Sequence, residues 1–419
     1  MSPLCHSVSF NIPPHPPQNY AILPATDNTV QRGSHVRFTH WRDWCWWARS
    51  LARHAHQPNH GSRIVACCDI NSEVLAAQKE RYGDNIFVTD NYHLLLQQDL
   101  DAVFICTPDF LHEEQAVAAL EAGTAVYLEK PIAITTADCD RILATAHRTQ
   151  TRLYVGHNMR HMTFVQKMKE LIDSGAIGEV KTGWCRHFVG HGGDFYFKDW
   201  HADRRNATSL LLQKAAHDID VLHWLCGGYS QRVNALGGLT VYNQVAHRQT
   251  TPLPRSQITA TDQWPPLSQT NLYPVIDVED ISMMQMQLDN GVFVAYQQCH
   301  FTPDYWRNYT IIGTEGRIEN FGDTQPDAVI KLWNKRADYK PDGDEQFAVG
   351  ANSGDHGGAD GRIVAEFVRF VREGGSIKTS PLAARYAVAA GCAATDSLRA
   401  NGIPVDVPTV DKAIAHYFA

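Results

Sequence analysis

Two apolar runs in the chain stop abruptly in polar residues: Ala102-Val-Phe-Ile-Cys-Thr-Pro-Asp-Phe-Leu-His112 and Val126-Tyr-Leu-Glu-Lys-Pro-Ile132. Unbroken apolar runs of this length read as strands buried on both faces. Between them, Glu113–Ala122 is rich in Ala and precedes Gly123, which suits a helix and its C-terminal cap. The unit is strand–helix–strand and predicts parallel pairing. The same alternation runs through the first half of the chain. Strands are expected at Val36–Thr39, Arg63–Asp69, Phe87–Thr89 and Arg152–Gly156. Helices are expected at Glu73–Tyr82, Asn91–Gln98 and about Thr136–Gln150. That order predicts a doubly wound parallel sheet, a Rossmann-type α/β domain over residues 36–155.

After Gly156 the period changes. Helices are expected at Met162–Ser174, Leu210–Leu225, Gly361–Glu373 and Pro381–Asn401, and a strand at Val180–Val189. From Ile276 on, apolar and polar residues alternate in Ile281–Leu288, Val292–Cys299, Tyr309–Ile312 and Val329–Trp333. Asp289-Asn-Gly291 is a hairpin signal. The second domain, residues 156–419, is therefore expected to be α/β with a large open, mostly antiparallel sheet. Helices cover one face, the other is a candidate oligomer surface, and the C-terminal helices could return to the first domain. Residues 245–275 read as a long loop. Residues 1–35, rich in Pro, His, Asn and Ser, read as a poorly ordered extension.

Composition narrows the classes. With 419 residues the chain can bury a large core. Its net charge of −8 and the lack of a long basic run argue against a nucleic-acid partner. No apolar run approaches the roughly 18 residues that span a bilayer, and no secretory signal is visible. Ten scattered cysteines without CxxC pairs fit a reducing cytoplasm better than disulfides. No metal site is expected. His54, His56 and His60 cluster in sequence but lack a defined scaffold.

Ligands of open α/β sheets bind just beyond the carboxyl ends of the strands. Here that place holds Thr107, Pro108, His112, Glu129, Lys130 and Pro131. Lys130 is where chemistry is expected, the alternative being a surface ion pair. Asp69 ends the second strand. In a dinucleotide site such an acid accepts from the ribose hydroxyls and repels a 2′-phosphate, favouring NAD over NADP. The alternative is a turn or helix-capping aspartate.

Taken together, Cys106-Thr-Pro-Asp-Phe-Leu-His112, Glu129-Lys-Pro131, Gly156-His-Asn-Met-Arg160 and Lys214-Ala-Ala-His-Asp-Ile-Asp220 resemble the Gfo/Idh/MocA oxidoreductases in order and spacing over residues 63–401. The resemblance implies a nicotinamide cofactor, a sugar, inositol or related polyol substrate, and oligomers built through the open sheet. It implies that Lys130 polarises the reacting oxygen and that His217 is the general acid/base, with Lys214 on the same helix face. His217 could instead be a packing histidine. Some relatives carry Asp where this chain has Gln213, which cannot act as a base. Asn158, Arg160, His201 and Asp218 are the expected substrate contacts, and His356-Gly-Gly358 lies nearby or is only a turn. The polar residues of the 190–209 loop suit a polyol or a sugar acid.

One departure stands out. The family expects a glycine-rich turn after the first strand, where backbone N–H groups meet the pyrophosphate. This chain has Thr39-His-Trp-Arg-Asp-Trp-Cys-Trp-Trp-Ala-Arg49, with no glycine. Trp has the single codon TGG, and reading one base later begins each with GG, a glycine codon. A local frame shift over about residues 40–60 would produce such a run, with compensation before Arg63. The leading expectation is an NAD-dependent sugar or polyol dehydrogenase. The alternatives are a glycosidase that oxidises its substrate transiently, and a cofactor-deficient homologue that only binds.

Overall fold

Six parallel strands form the first sheet, in the order β3-β2-β1-β4-β5-β6. They are β1 (Val36–Arg42), β2 (Ser62–Asp69), β3 (Phe87–Thr89), β4 (Ala102–Cys106), β5 (Ala125–Leu128) and β6 (Leu153–Val155). The computed structural model describes residues 36–42, 51–190, 193–251, 253, 255–258, 263–350 and 354–418. The extension expected over 1–35, and residues 43–50 of the Trp-rich segment, lie outside the described residues. β1 is longer than the apolar pattern suggested and pairs with β2 on one side and β4 on the other. The order in which strands are added reverses between β1 and β4, so the sheet has its switch point there.

Local chemistry explains the connections. The Asn71 side chain accepts from the Glu73 and Val74 amides and caps α1 (Ser72–Tyr82). A one-turn helix α2 (Tyr92–Leu96) follows β3. After β4, a single 3₁₀ turn leads into α3 (His112–Glu121). Thr135 caps α4 (Thr136–Thr149), which buries Cys139, Ile142, Leu143 and Ala146. Every residue of β4 and β5 is buried, as apolar strands covered on both faces must be.

Beyond β6, α5 (Thr163–Asp173) precedes β7 (Val180–Phe188) and α6 (Ala216–Cys226). The second sheet then adds β8 (Ser230–Gly238), β9 (Ile281–Leu288), β10 (Phe293–Cys299), β11 (Trp306–Gly313), β12 (Arg317–Phe321), β13 (Val329–Trp333), β14 (Glu345–Ala348) and β15 (Val405–Asp406). The order is β14-β13-β12-β11-β7-β10-β9-β8-β15. It is antiparallel except for β7 beside β10. The β9–β10 hairpin turns at Gly291, which adopts φ +83°. Ser282, Met284, Met286 and Leu288 face inward against the helices, while Met283 and Phe293 face out. β8, β12, β14 and β15 were not legible as strands. β8 is polar at alternate positions and contains two glycines, and β15 has two residues.

Both sheets lie in one compact unit, His35–Ala419. Two C-terminal helices return to the first sheet. α7 (Ala359–Glu373) sets Ile363, Val364 and Phe367 against Phe104, Tyr127 and Tyr154. α8 (Pro381–Arg399) sets Ala384 and Val388 against the opposite core, with Val126, Leu128 and Ile142. The described residues of 245–275 include one helical turn, Arg255–Ile258, a 3₁₀ turn, Pro266–Ser268, and one bridge, Arg248 to Leu272.

Candidate active site

The single helix expected over Leu210–Leu225 is two helices: one turn, Leu210–Gln213, and then α6. At the junction the Ala215 amide donates to Leu210 O, five residues back, at 3.3 Å. Such widened turns alter which carbonyls face a cleft. Here the Gln213 carbonyl accepts Lys130 Nζ at 3.2 Å. The junction thus places Lys214 and His217 opposite the end of β5.

Around Lys130 the groups are close and poorly solvated. His217 senses the charges of Lys130, Arg307 and Lys214, and burial with those cations holds its imidazole well below the usual histidine range. It is neutral at pH 7. Its Nδ1 is buried with no hydrogen-bond partner among the described residues. The His157 ring lies 6.1 Å away, edge-on. Burial pushes Lys214 down to about 7, helped by Arg307 and Lys130. Its Nζ sits 5.6 Å from the Tyr196 ring centre. Burial also pushes Asp109 and Glu129 up to about 7, against the pull of Lys130. Asp109 lies inside the strand-end motif but sequence reading passed it over. An aspartate after Thr-Pro looks like an ordinary turn residue, and only its burial distinguishes it.

The mouth residues shape this floor. His112 is buried, with Nδ1 2.7 Å from Pro131 O and Nε2 3.0 Å from Thr107 O. It clamps the Thr107-Pro108 and Lys130-Pro131 segments together, and burial lowers its pKa to about 4. Thr107 Oγ1 donates to Gln115 at 2.8 Å. The Glu129 carboxylate accepts from the Tyr127 hydroxyl at 3.3 Å and the Lys130 amide at 3.2 Å. Asp69, at the end of β2, is buried, and its carboxylate accepts the Asn71 amide at 2.8 Å. Asp69 and the β1/β4 switch point are the features that fit a dinucleotide.

Three expected substrate contacts, Asp218, Arg160 and Asn158, have protein partners. Consecutive helical residues project about 100° apart, so His217 faces the cleft while Asp218 turns into the sheet. There Asp218 accepts His187 Nδ1 at 2.9 Å and the Tyr296 hydroxyl at 3.0 Å. It also accepts the Tyr309 hydroxyl and pairs with Arg307 at 3.1 Å. Both oxygens are used, and the Arg307 and His187 partners hold it well below the usual carboxylate range despite burial. Arg160 likewise is a buried strut. Its guanidinium grips Asp220 at 2.7 and 2.8 Å and donates to Lys378 O at 2.7 Å. Asn158 Nδ2 donates to Asp360 at 3.0 Å, and His356 Nδ1 reaches the same carboxylate at 3.0 Å. His201 is buried against Trp200 and Tyr196, with ring centres 3.7 and 5.2 Å away, and so lies one side chain removed from Lys214.

Among the described residues no group of His, Cys, Asp and Glu could hold a metal ion, and no helix is long and apolar enough to cross a membrane.

Known proteins share this architecture. The oxidoreductase-family model with an NAD-binding Rossmann fold matches residues 46–157, and the Gfo/Idh/MocA C-terminal domain matches 165–319. A Bacillus subtilis protein named as the oxidoreductase YteT is 26% identical over 299 residues, 62% of this chain and 70% of that one. An inositol 2-dehydrogenase of Salmonella typhimurium is 30% identical over 167 residues, 39% of this chain and 47% of the other. A 2,7-anhydro-N-acetylneuraminate hydratase of Mediterraneibacter gnavus is 32% identical over 191 residues, 45% and 48% of the two chains. The chain spans about half the length of the last two. In three dimensions, a levoglucosan dehydrogenase solved with NADH and levoglucosan superposes with a TM-score of 0.72 at 21% identity, covering 90% of this chain and 100% of that one. The two family domains together span most of the described fold, and the chain belongs to the Gfo/Idh/MocA family of oxidoreductases with an NAD-binding Rossmann fold.

Proposed function

We propose that the protein is an NAD-dependent dehydrogenase of a sugar, inositol or related polyol, working at Lys130 and His217. The observation that carries this reading is the Lys130–Gln213 bond, which brings the strand-end lysine to the turn that presents His217. Oxidising a secondary alcohol removes a hydride from carbon and a proton from oxygen. A bound nicotinamide supplies the hydride acceptor. Lys130 is suited to hold the alcohol oxygen as it becomes anionic, because an ammonium acts strongly where water is excluded. Neutral His217 has an Nδ1 with no hydrogen-bond partner among the described residues, suited to take the proton. Asp69 supports NAD over NADP, since a 2′-phosphate would meet its carboxylate. We further assign the open face of the second sheet, with Met283, Phe293 and Leu236 exposed, to a homo-oligomer contact, and the protein to the cytoplasm.

Calorimetry of the purified chain with NAD, and with NADP in parallel, tests the first half. NAD should bind and NADP should bind at least tenfold more weakly. NADH formation across a panel of polyols tests the second half, and the Lys130→Met and His217→Asn variants should lose it. Absence of NAD binding would overturn the reading.

A second reading has one specific support, the hydratase among the relatives. In it the substrate is oxidised only transiently and hydrogen returns before release. It predicts substrate turnover without net NADH.

A further inference from the structure

Lys214 is a half-buried lysine with no carboxylate in ion-pair contact among the described residues. Its Nζ lies over the face of Tyr196, 5.6 Å from the ring centre. The acids near it are engaged elsewhere. Asp218 is held by Arg307, His187 and two tyrosine hydroxyls, and Asp323 accepts the Tyr305 hydroxyl at 2.7 Å. A buried ammonium without a counter-ion is costly, and burial with the Arg307 and Lys130 charges already drives Lys214 towards its neutral form.

A second observation points the same way. His300, on the strand side of Tyr196, is fully buried, yet neither ring nitrogen has a hydrogen-bond partner among the described residues. The rings of Tyr196 and His300 are 5.4 Å apart, so His300 and Lys214 approach the same tyrosine. His187 is also fully buried. Its Nδ1 is used by Asp218, but its Nε2 has no partner. The charges of His187 and Lys214 both act on His300. Buried polar atoms are nearly always paired. Here unpartnered imidazole nitrogens, one of them on His300 a donor, gather near Lys214, three residues from His217.

We infer that the substrate is an anion, a sugar acid or carboxylated cyclitol whose carboxylate is received by Lys214 with His300 as a neutral donor, while His187, whose one N–H goes to Asp218, can accept a substrate hydroxyl at Nε2. This rests on the proposed reaction at Lys130 and His217 and adds the substrate class. The carboxylate would sit at the Lys214 end of the cleft, which directs a ring hydroxyl towards Lys130 and His217. Arg307 does not receive it, because its guanidinium is committed to Asp218.

The test is binding first and turnover second, so that it stands apart from the cofactor question. Hexuronates and hexonates are titrated into the full chain, with and without NADH, beside the uncharged hexoses and hexitols of the same configuration. At least one acid should bind tenfold or more tighter than its neutral counterpart. Lys214→Met should abolish that preference, and His300→Phe should weaken it severalfold. Circular dichroism confirms that both variants fold. In turnover, the kcat/KM ratio of acid to neutral substrate should fall in Lys214→Met chiefly through KM. Equal binding of acids and neutral sugars, or an unchanged preference in folded Lys214→Met, overturns the inference. Failure of NAD to bind, with acid binding intact, overturns the dehydrogenase reading and leaves the anion site standing. Neutral polyols oxidised as well as acids would do the reverse.

Discussion

Lys130 Nζ lies 3.2 Å from the carbonyl oxygen of Gln213, so one hydrogen bond joins the end of β5 to the widened turn in front of His217. A lysine in that position has two roles, charge and tether. Lys130→Met removes both, whereas Lys130→Gln can keep a bond to the carbonyl. Both should lose about 10²–10⁴ in kcat/KM, the range of a positioned polar catalyst. A chiefly structural lysine would show a large loss in Met and near-normal activity in Gln, and steady-state NADH assays separate the cases.

Arg160 and Asp220 form a buried two-pronged pair at 2.7 and 2.8 Å. Removing one partner leaves the other charge uncompensated, at a cost of about 3–5 kcal/mol. Asp220→Asn should therefore lower the thermal midpoint by many degrees, and Arg160→Lys by less. Enzyme that still folds should keep its substrate KM within about twofold, given that Arg160 is a strut. A tenfold rise in KM without loss of stability would return Arg160 to the pocket.

The parts legible in the sequence were those written in local pattern. β4 and β5 were visible because every position is apolar, and the β9–β10 hairpin because Asp289-Asn-Gly291 is a turn signal. The mouth residues followed from where those strands stop. Roles set by tertiary contact were not legible. Asp218 and His217 are neighbours in a promising motif, but which one meets the cleft depends on which helix face the sheet covers. Asn158 gains its partner Asp360 from a helix 202 residues later. The break at Lys214 lies in an unremarkable Gln-Lys-Ala-Ala run, and only the displaced backbone bond to Leu210 reveals it.

The Trp-rich segment is tested in the gene. The family match to the Rossmann domain begins at residue 46, inside that segment. If a local frame shift produced the four Trp residues, the +1 reading of the codons for residues 40–60 will contain a glycine-rich run, and a compensating shift will lie before Arg63. A chain rebuilt with that reading should then bind NAD more tightly than the 419-residue chain by calorimetry. A +1 reading without glycines ends the explanation.

Asp109 and Glu129 give the site a pH signature. Burial raises both to about 7, above their ordinary values near 4. A carboxyl whose folded pKa is raised is easily kept neutral in the folded state. Its stability contribution is complete below pH 4 and is lost as pH climbs to about 7. Asp109→Asn keeps the shape and removes the ionisation. One pKa unit corresponds to about 1.4 kcal/mol, and allowing for relaxation the variant should gain on the order of 1–3 kcal/mol at pH 7.5. It should gain nothing at pH 4. Glu129 still titrates in that variant, so the slope between pH 4 and 7 should shrink without vanishing. Lys214 does not confuse the comparison. Its folded pKa is depressed to about 7, so its effect falls mainly above that pH, where stability rises as it loses its proton. Denaturant unfolding at pH 4, 5.5 and 7.5 measures the slope. Equal destabilisation of Asp109→Asn at all three would show that Asp109 is held as a carboxylate by Lys130, and that attraction to Lys130 outweighs the cost of burying it.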